Sequence, residues 1–235
     1  MPTKTAIITG AAGNLGKAVV KNFIEKNYQV IGTILNKNES YNAGESNPIA
    51  IGFEEAELDL LNEEDCQRFV DGVVIKNKVI DVAVLTAGGF TMGNIAQTKT
   101  SDIMKQYQLN FETAYNIARP VFIQMMKQNS GRIFLIGSRQ GLDISKAKGV
   151  TAYGLSKSLI FSLAALMNAE AKGKNVVVNV IVPSTIDTPQ NRESMPDADF
   201  KSWVGASQIA DIIYFYSSEE GSAIREPVIK VYNNS

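Results

Sequence analysis

Short apolar, β-branched runs alternate along the chain with longer segments in which apolar residues recur at helical spacing. The runs Thr5–Thr9, Gln29–Ile34, Val79–Leu85, Arg132–Gly137, Val176–Val182 and Val228–Tyr232 predict strands. Most are continuously apolar, which is how strands read when helices cover both faces of a parallel sheet. The segments Leu15–Lys26, Asn62–Lys76, Ser101–Gln128, Tyr153–Lys172 and Ser207–Ser217 predict those helices. Together they predict one α/β domain over residues 1–235, a doubly wound, mostly parallel sheet flanked on both faces. Two stretches lack a period: Asn36–Pro48, a polar loop after the second strand, and Asp187–Trp203. The second follows a strand's C-terminal end, where parallel sheets place their binding crevice, and predicts a substrate lid over about 187–206.

Composition narrows the function classes. The 23 basic and 24 acidic residues nearly cancel, so no basic stripe points to nucleic acid or to an anionic membrane. The single cysteine, Cys66, has no partner for an internal disulfide. No apolar stretch approaches the roughly 20 residues that span a bilayer. The expectation is a cytoplasmic protein with a small-molecule ligand. Histidine is absent, which excludes Ser-His-Asp and Cys-His catalysis and His-ligated metal, and no metal site is expected. Proton transfer near neutral pH then needs a carboxylate, a thiol, or a Tyr or Lys with a shifted pKa.

Two motifs fit that chemistry. Thr9-Gly10-Ala11-Ala12-Gly13-Asn14-Leu15-Gly16 lies between the first strand and the first helix. Small residues there let backbone N–H groups and a helix N-terminus approach a pyrophosphate; the competing reading is an ordinary glycine-rich turn. Tyr153 and Lys157 stand one helical turn apart on one face. An ammonium near a phenol favours the phenolate and brings its pKa of about 10 towards the working range. The competing reading is a surface tyrosine and a solvated lysine.

The order and spacing of further residues resemble the short-chain dehydrogenase/reductase family over nearly the whole chain. They are Thr9–Gly16, Asp59-Leu60, Asp81-x-x-Val84-Leu85-Thr86-Ala87-Gly88, Asn110, Ser138, Tyr153-x-x-x-Lys157 and Pro183-x-x-Ile186-x-Thr188. The resemblance implies a Rossmann-like fold and a catalytic set of Asn110, Ser138, Tyr153 and Lys157. It assigns Tyr153 as general acid/base and Lys157 to the nicotinamide ribose and the tyrosine's pKa. Ser138 bonds the substrate oxygen and Asn110 supports a relay water. Cofactor contacts fall on Gly10, Gly13, Asn14, Leu15, Gly16, Asp59, Leu60, Ala87, Gly88, Tyr153, Lys157, Pro183, Ile186 and Thr188. Read alone, Asn110 is a helix-surface amide, Ser138 a loop hydroxyl and Asp59 a residue that starts a helix. Departures from the family pattern include Gly13 one place early, Pro183-Ser184 for Pro-Gly, and a tail without Asp-Gly-Gly.

A narrower resemblance, to quinoid dihydropteridine reductases, rests on Ala87-Gly88-Gly89-Phe90 and on Asp187-Thr188-Pro189-x-Asn191-Arg192-x-x-Met195-Pro196-x-Ala198-Asp199-Phe200-x-x-Trp203. The pterin enzymes lack a serine at the place of Ser138. The leading expectation is therefore NAD(P)-dependent reduction of a small carbonyl, with pterin reduction and a non-catalytic dinucleotide-binding regulator as alternatives. About 20 residues beyond the glycine motif the chain reads Thr33-Ile34-Leu35-Asn36-Lys37, where a carboxylate would select NAD(H). Ile34 stands there instead, and Lys37 follows three residues later, just past the strand end, so NADP(H) is expected to be slightly favoured. The family resemblance also implies a homodimer or homotetramer through the helices of Ser101–Gln128 and Tyr153–Lys172.

Overall fold

The computed structural model describes residues 4–36, 38, 40–41 and 52–234. Nine strands and eight α-helices are described, in the order β1 Thr5–Thr9, α1 Asn14–Glu25, β2 Gln29–Ile34, β3 Phe53–Glu57, α2 Glu63–Asn77, β4 Val82–Leu85, α3 Thr100–Tyr107, α4 Thr113–Gln128, β5 Ser130–Ile136, α5 Arg139–Leu142, α6 Thr151–Glu170, β6 Asn175–Pro183, β7 Ile186–Asp187, α7 Pro189–Ser194, β8 Val204–Gly205, α8 Ala206–Ser217 and β9 Val228–Val231. Seven strands form one parallel sheet in the order β3, β2, β1, β4, β5, β6, β9.

The continuous apolar runs have the two-faced burial they predict. Ala6 and Ile8 of β1 join a core with Val19, Val20 and Phe23 of α1 and Ile209 and Ile213 of α8. Ile7, pointing the other way, joins a second core with Val70 of α2, Ile117 and Val121 of α4, and Ile160 of α6. Phe23 meets Tyr28 and Tyr214 edge-on, at ring distances of 4.9 and 6.0 Å.

Four details depart from the expectation. β3, Phe53-Glu54-Glu55-Ala56-Glu57, is an edge strand paired only with β2, and its glutamates conceal it in the sequence. Such charges suit an edge: Glu54 accepts hydrogen bonds from Gln29 and Lys76, and Glu55 accepts from Ser40 and the Tyr41 backbone. The helix expected over Ser101–Gln128 contains a π-helical turn, Gln108–Glu112, between α3 and α4. There the N–H of Thr113 donates to the carbonyl of Gln108, five residues back. A short helix, α5, follows β5, and the aperiodic segment after β6 contains α7 and a 3-10 turn, Phe200–Ser202. β7 pairs with β8, Ile186 beside Val204 and Asp187 beside Gly205, so this segment is tied shut at its base.

Gly16, in the first turn of α1, lies against the glycine loop; a β-carbon there would overlap the carbonyl of Gly10 and come within 3.0 Å of the Ala11 α-carbon. Both obstacles are backbone, so neither moves cheaply. Gly16→Ala is expected to destabilise the fold by about 1–3 kcal/mol, the usual cost of overpacking, measured as a lowered urea midpoint with an unchanged slope.

Candidate active site

The strand order reverses between β1 and β4, whose chains leave towards opposite faces of the sheet. A crevice opens at such a point beyond the carboxyl ends of the strands. Here it is a cleft of about 720 Å³ lined by Gly10, Gly13, Asn14, Leu15 and Gly16 on one side and Thr86, Ala87 and Gly88 on the other, with Asp59 and Leu60 after β3. Thr86 and Thr9 join the two strand ends: the Thr86 hydroxyl donates to the Thr9 carbonyl at 2.7 Å, and the Ala87 N–H to the Thr9 hydroxyl at 3.4 Å. Gly10 holds φ at +63°, and a β-carbon there would sit 3.1 Å from Thr86 Oγ1 and 3.2 Å from the Ala87 nitrogen, so glycine is required on both counts.

The cleft fits a dinucleotide. Helix α1 starts at Gly13, which offers no side-chain cap, and its first turn carries no acid. Its first N–H groups have no acceptor within the helix and meet no acid in its first turn, the standard setting for a phosphate. Asp59 lies before α2, whose cap is Asn62; its carboxylate accepts the Leu61 N–H at 2.9 Å. It therefore shapes the cleft wall and does not begin the helix. At the end of β2, Ile34 is buried and Leu35 is exposed. Lys37 lies outside the described residues.

Asn110, Ser138, Tyr153 and Lys157 come together beside this cleft. Asn110, in the π turn, is 1% exposed, so it is not a surface amide. Its Oδ1 accepts the Gly89 N–H at 3.0 Å and its Nδ2 donates to the Gly89 carbonyl at 3.0 Å. A β-carbon on Gly88 would lie 2.7 Å from Asn110 Oδ1 and 3.4 Å from Lys157 Nζ. Gly88 thus joins the cleft lining to the polar cluster. Ser138, buried at the end of β5, caps α5: its oxygen accepts the Gly141 N–H at 3.0 Å, leaving the hydroxyl proton to donate. It is hydrogen-bonded to Tyr153. The Tyr153 ring is met edge-on by Phe90 at 5.0 Å.

The ionisation of the pair differs from expectation. Burial pushes the Tyr153 phenol above its ordinary value, with the Ser138 hydrogen bond pulling the other way. The resting phenol is therefore protonated, not biased towards phenolate. Lys157 is 5% exposed, so it is not a solvated lysine, and its Nζ donates to the Ile136 carbonyl at 2.8 Å. Burial lowers its pKa to about 8.

Pro183 ends β6 and Ile186 and Thr188 lie just past it, all three outside the lining of the main cleft. Pro183 is buried at the strand end, and Thr188 caps α7 by accepting the Asn191 N–H at 3.2 Å. The next helix reaches the glycine loop: Asn14 Nδ2 donates to Gln190 Oε1 at 2.7 Å. Sequence reasoning missed Gln190, and also Gln106 and Ser156, which bond Asn110. The only sequence signal for Gln106 is its place one helical turn before Asn110. Among the described residues, no helix is long and apolar enough to cross a membrane.

Comparison with known proteins agrees with this geometry. The model of the family "short chain dehydrogenase" matches residues 4–199. The 3-oxoacyl-(acyl-carrier-protein) reductase FabG of Thermotoga maritima is 27% identical over 238 residues, 97% of this chain and 96% of that protein. The dihydropteridine reductase of Dictyostelium discoideum is 27% identical over 225 residues, 94% and 90% of the two chains. Among solved structures, "ElxO with NADP Bound" superposes with a TM-score of 0.87 at 23% identity, covering 97% of each chain. The chain belongs to the short-chain dehydrogenase family, and is an oxidoreductase of that nicotinamide-dependent kind.

Proposed function

We propose that the protein reduces a small carbonyl compound to an alcohol at the expense of NAD(P)H and a proton, with Tyr153 as the proton donor. The observation that carries this reading is that Tyr153, with the Ser138 hydroxyl adjacent to it, stands one helical turn from buried Lys157 beside a cleft shaped for a dinucleotide. A bound nicotinamide supplies the hydride. Ser138, its oxygen anchored by Gly141, and Tyr153 both offer O–H donors to the substrate oxygen, polarising the carbonyl as negative charge develops on it. Tyr153 then delivers its proton to that oxygen, and its raised pKa keeps the proton available at neutral pH. Lys157, held by Ile136, orients the ribose hydroxyls. Ser138 inside this network favours a ketone or aldehyde over the pterin suggested by the dihydropteridine reductase relative. Exposed Tyr115 and Ile123 on α4 and Leu155, Leu159 and Leu166 on α6 support a homodimer or homotetramer, for which sedimentation at micromolar concentration should give a mass two or four times 25.6 kDa.

The test is a panel of aldehydes, ketones and a quinonoid pterin, read as dinucleotide oxidation. Tyr153→Phe should lower turnover of the accepted substrate by about 10²–10⁴-fold while dinucleotide affinity stays within a few-fold. Turnover within about tenfold of wild type would remove Tyr153 as the acid.

NADP(H) is the favoured cofactor, because Ile34 and Leu35 leave no carboxylate at the end of β2 to repel a 2′-phosphate. Lys37 supplies a cation just beyond, and Lys17 lines the cleft itself. kcat/KM should be higher with NADPH than with NADH, and Lys37→Ala should remove the difference. A wild-type preference for NADH above about tenfold, roughly 1.4 kcal/mol, would overturn this assignment.

A further inference from the structure

Asn110 is held by more acceptors than it has protons. Its Nδ2 carries two N–H bonds and lies within reach of three oxygens: the Gly89 carbonyl at 3.0 Å, Gln106 Oε1 at 3.0 Å and Ser156 Oγ at 3.2 Å. Ser156 donates its own proton to the Tyr153 carbonyl at 2.9 Å, so towards Asn110 it acts as an acceptor. The bond from Gly89 N–H to Oδ1 fixes which end of the amide faces the loop. Gln106, in the last turn of α3, is 6% exposed. A glutamine amide is costly to bury unless it is used. Without Gln106, both Asn110 protons still have acceptors, and no buried donor is orphaned. Its bond is therefore spare for satisfying Asn110, yet it reaches across the boundary of the π turn and sets how the amide plane lies between Gly89 and Ser156.

The geometry points to Gln106 as a positioning residue that holds the Asn110 amide, and through it the Gly88–Gly89 segment and the Tyr153 turn, in the orientation turnover requires. This rests on the carbonyl-reductase reading above. Gln106 is not itself part of the cleft lining; its bond is to Asn110, and it acts through that residue. A misplacement of reacting groups by a fraction of an ångström to 1 Å costs up to about 10²-fold in rate. Loss of this one restraint should fall within that range, while dinucleotide binding, set by the glycine loop, is spared.

The test compares Gln106→Met, which keeps size and removes the acceptor, with Gln106→Glu, which keeps an acceptor oxygen at the same place. With the substrate accepted in the panel, Q106M should lower kcat about tenfold, with KM for NADPH within twofold, and Q106E should recover most of the loss. Unchanged kcat in Q106M, a parallel rise in the NADPH KM, or failure of Q106E to recover activity would overturn the inference. So would a Q106M protein that fails to fold, since Gln106 would then be structural. Hydrogen exchange of the Gly89 amide, followed by NMR, decides the matter even if no compound in the panel is turned over. Exchange should be at least about tenfold faster in Q106M and near wild type in Q106E, whereas equal rates in all three proteins would overturn the positioning role.

Discussion

The reversal of strand order between β1 and β4 is the constraint from which the site follows. Each parallel strand delivers its chain to a helix on one face, and neighbours that deliver to the same face close over their own ends. β1 leads to α1 in one core and β4 leads towards α4 in the other, so their ends stay open. Thr9 and Thr86 tie those ends together, which fixes the width of the opening. The glycines at 10, 13 and 16 then bring the start of α1 close to it. On the other bank, Gly88 and Gly89 carry the cleft wall to the Asn110 amide. Small residues occur on both banks because backbone forms the walls.

Within this frame, burial has more influence than charge on the two titrating groups. An ammonium beside a phenol would lower the phenol's pKa, and the sequence spacing of Tyr153 and Lys157 suggested that arrangement. The folded chain instead places Lys157 Nζ on the Ile136 carbonyl and surrounds both groups with low-dielectric protein. The phenol is pushed up and the ammonium down, each towards its neutral form. A lysine near 8 is still largely protonated at neutral pH, so the site keeps one cation and one intact proton donor. That combination suits the proposed reduction, in which Tyr153 would release its proton as negative charge gathers on the substrate oxygen.

The sheet was legible because its elements had strong local signals, whereas Asn110 and Ser138 entered only through the family resemblance. Continuous apolar strands, helical periodicity and a glycine loop between strand and helix all agree, and the Tyr153/Lys157 pair lies at a fixed place relative to them. β3 was hidden because an edge strand gains from charge where an inner strand gains from apolar residues, and Glu54, Glu55 and Glu57 resemble a polar connection. The π turn was hidden because its cause is tertiary. Asn110 is drawn inward by Gly89 and Ser156, which are 21 and 46 residues away in sequence, and no periodicity reports such contacts. Gln106 shares that obscurity, since its partner becomes buried only after the chain folds.

The segment that resembles dihydropteridine reductases shows why a shared motif need not name a substrate. Arg192 makes two hydrogen bonds with Asp187, at 2.6 and 2.7 Å, and lies 4.9 Å over the Phe200 ring, which in turn meets Trp203 at 4.8 Å. Trp203 is buried, and the β7–β8 pair closes the loop beneath it. The charged and aromatic residues of the motif are thus largely occupied with one another. They build a stable loop whose helix α7 touches the glycine loop through Gln190 and Asn14, a structural task that any substrate of this architecture would tolerate. Discrimination must then come from side chains left uncommitted near Tyr153. Phe90, exposed and edge-on to the tyrosine ring, would in the proposed reduction offer an apolar face beside the reacting group.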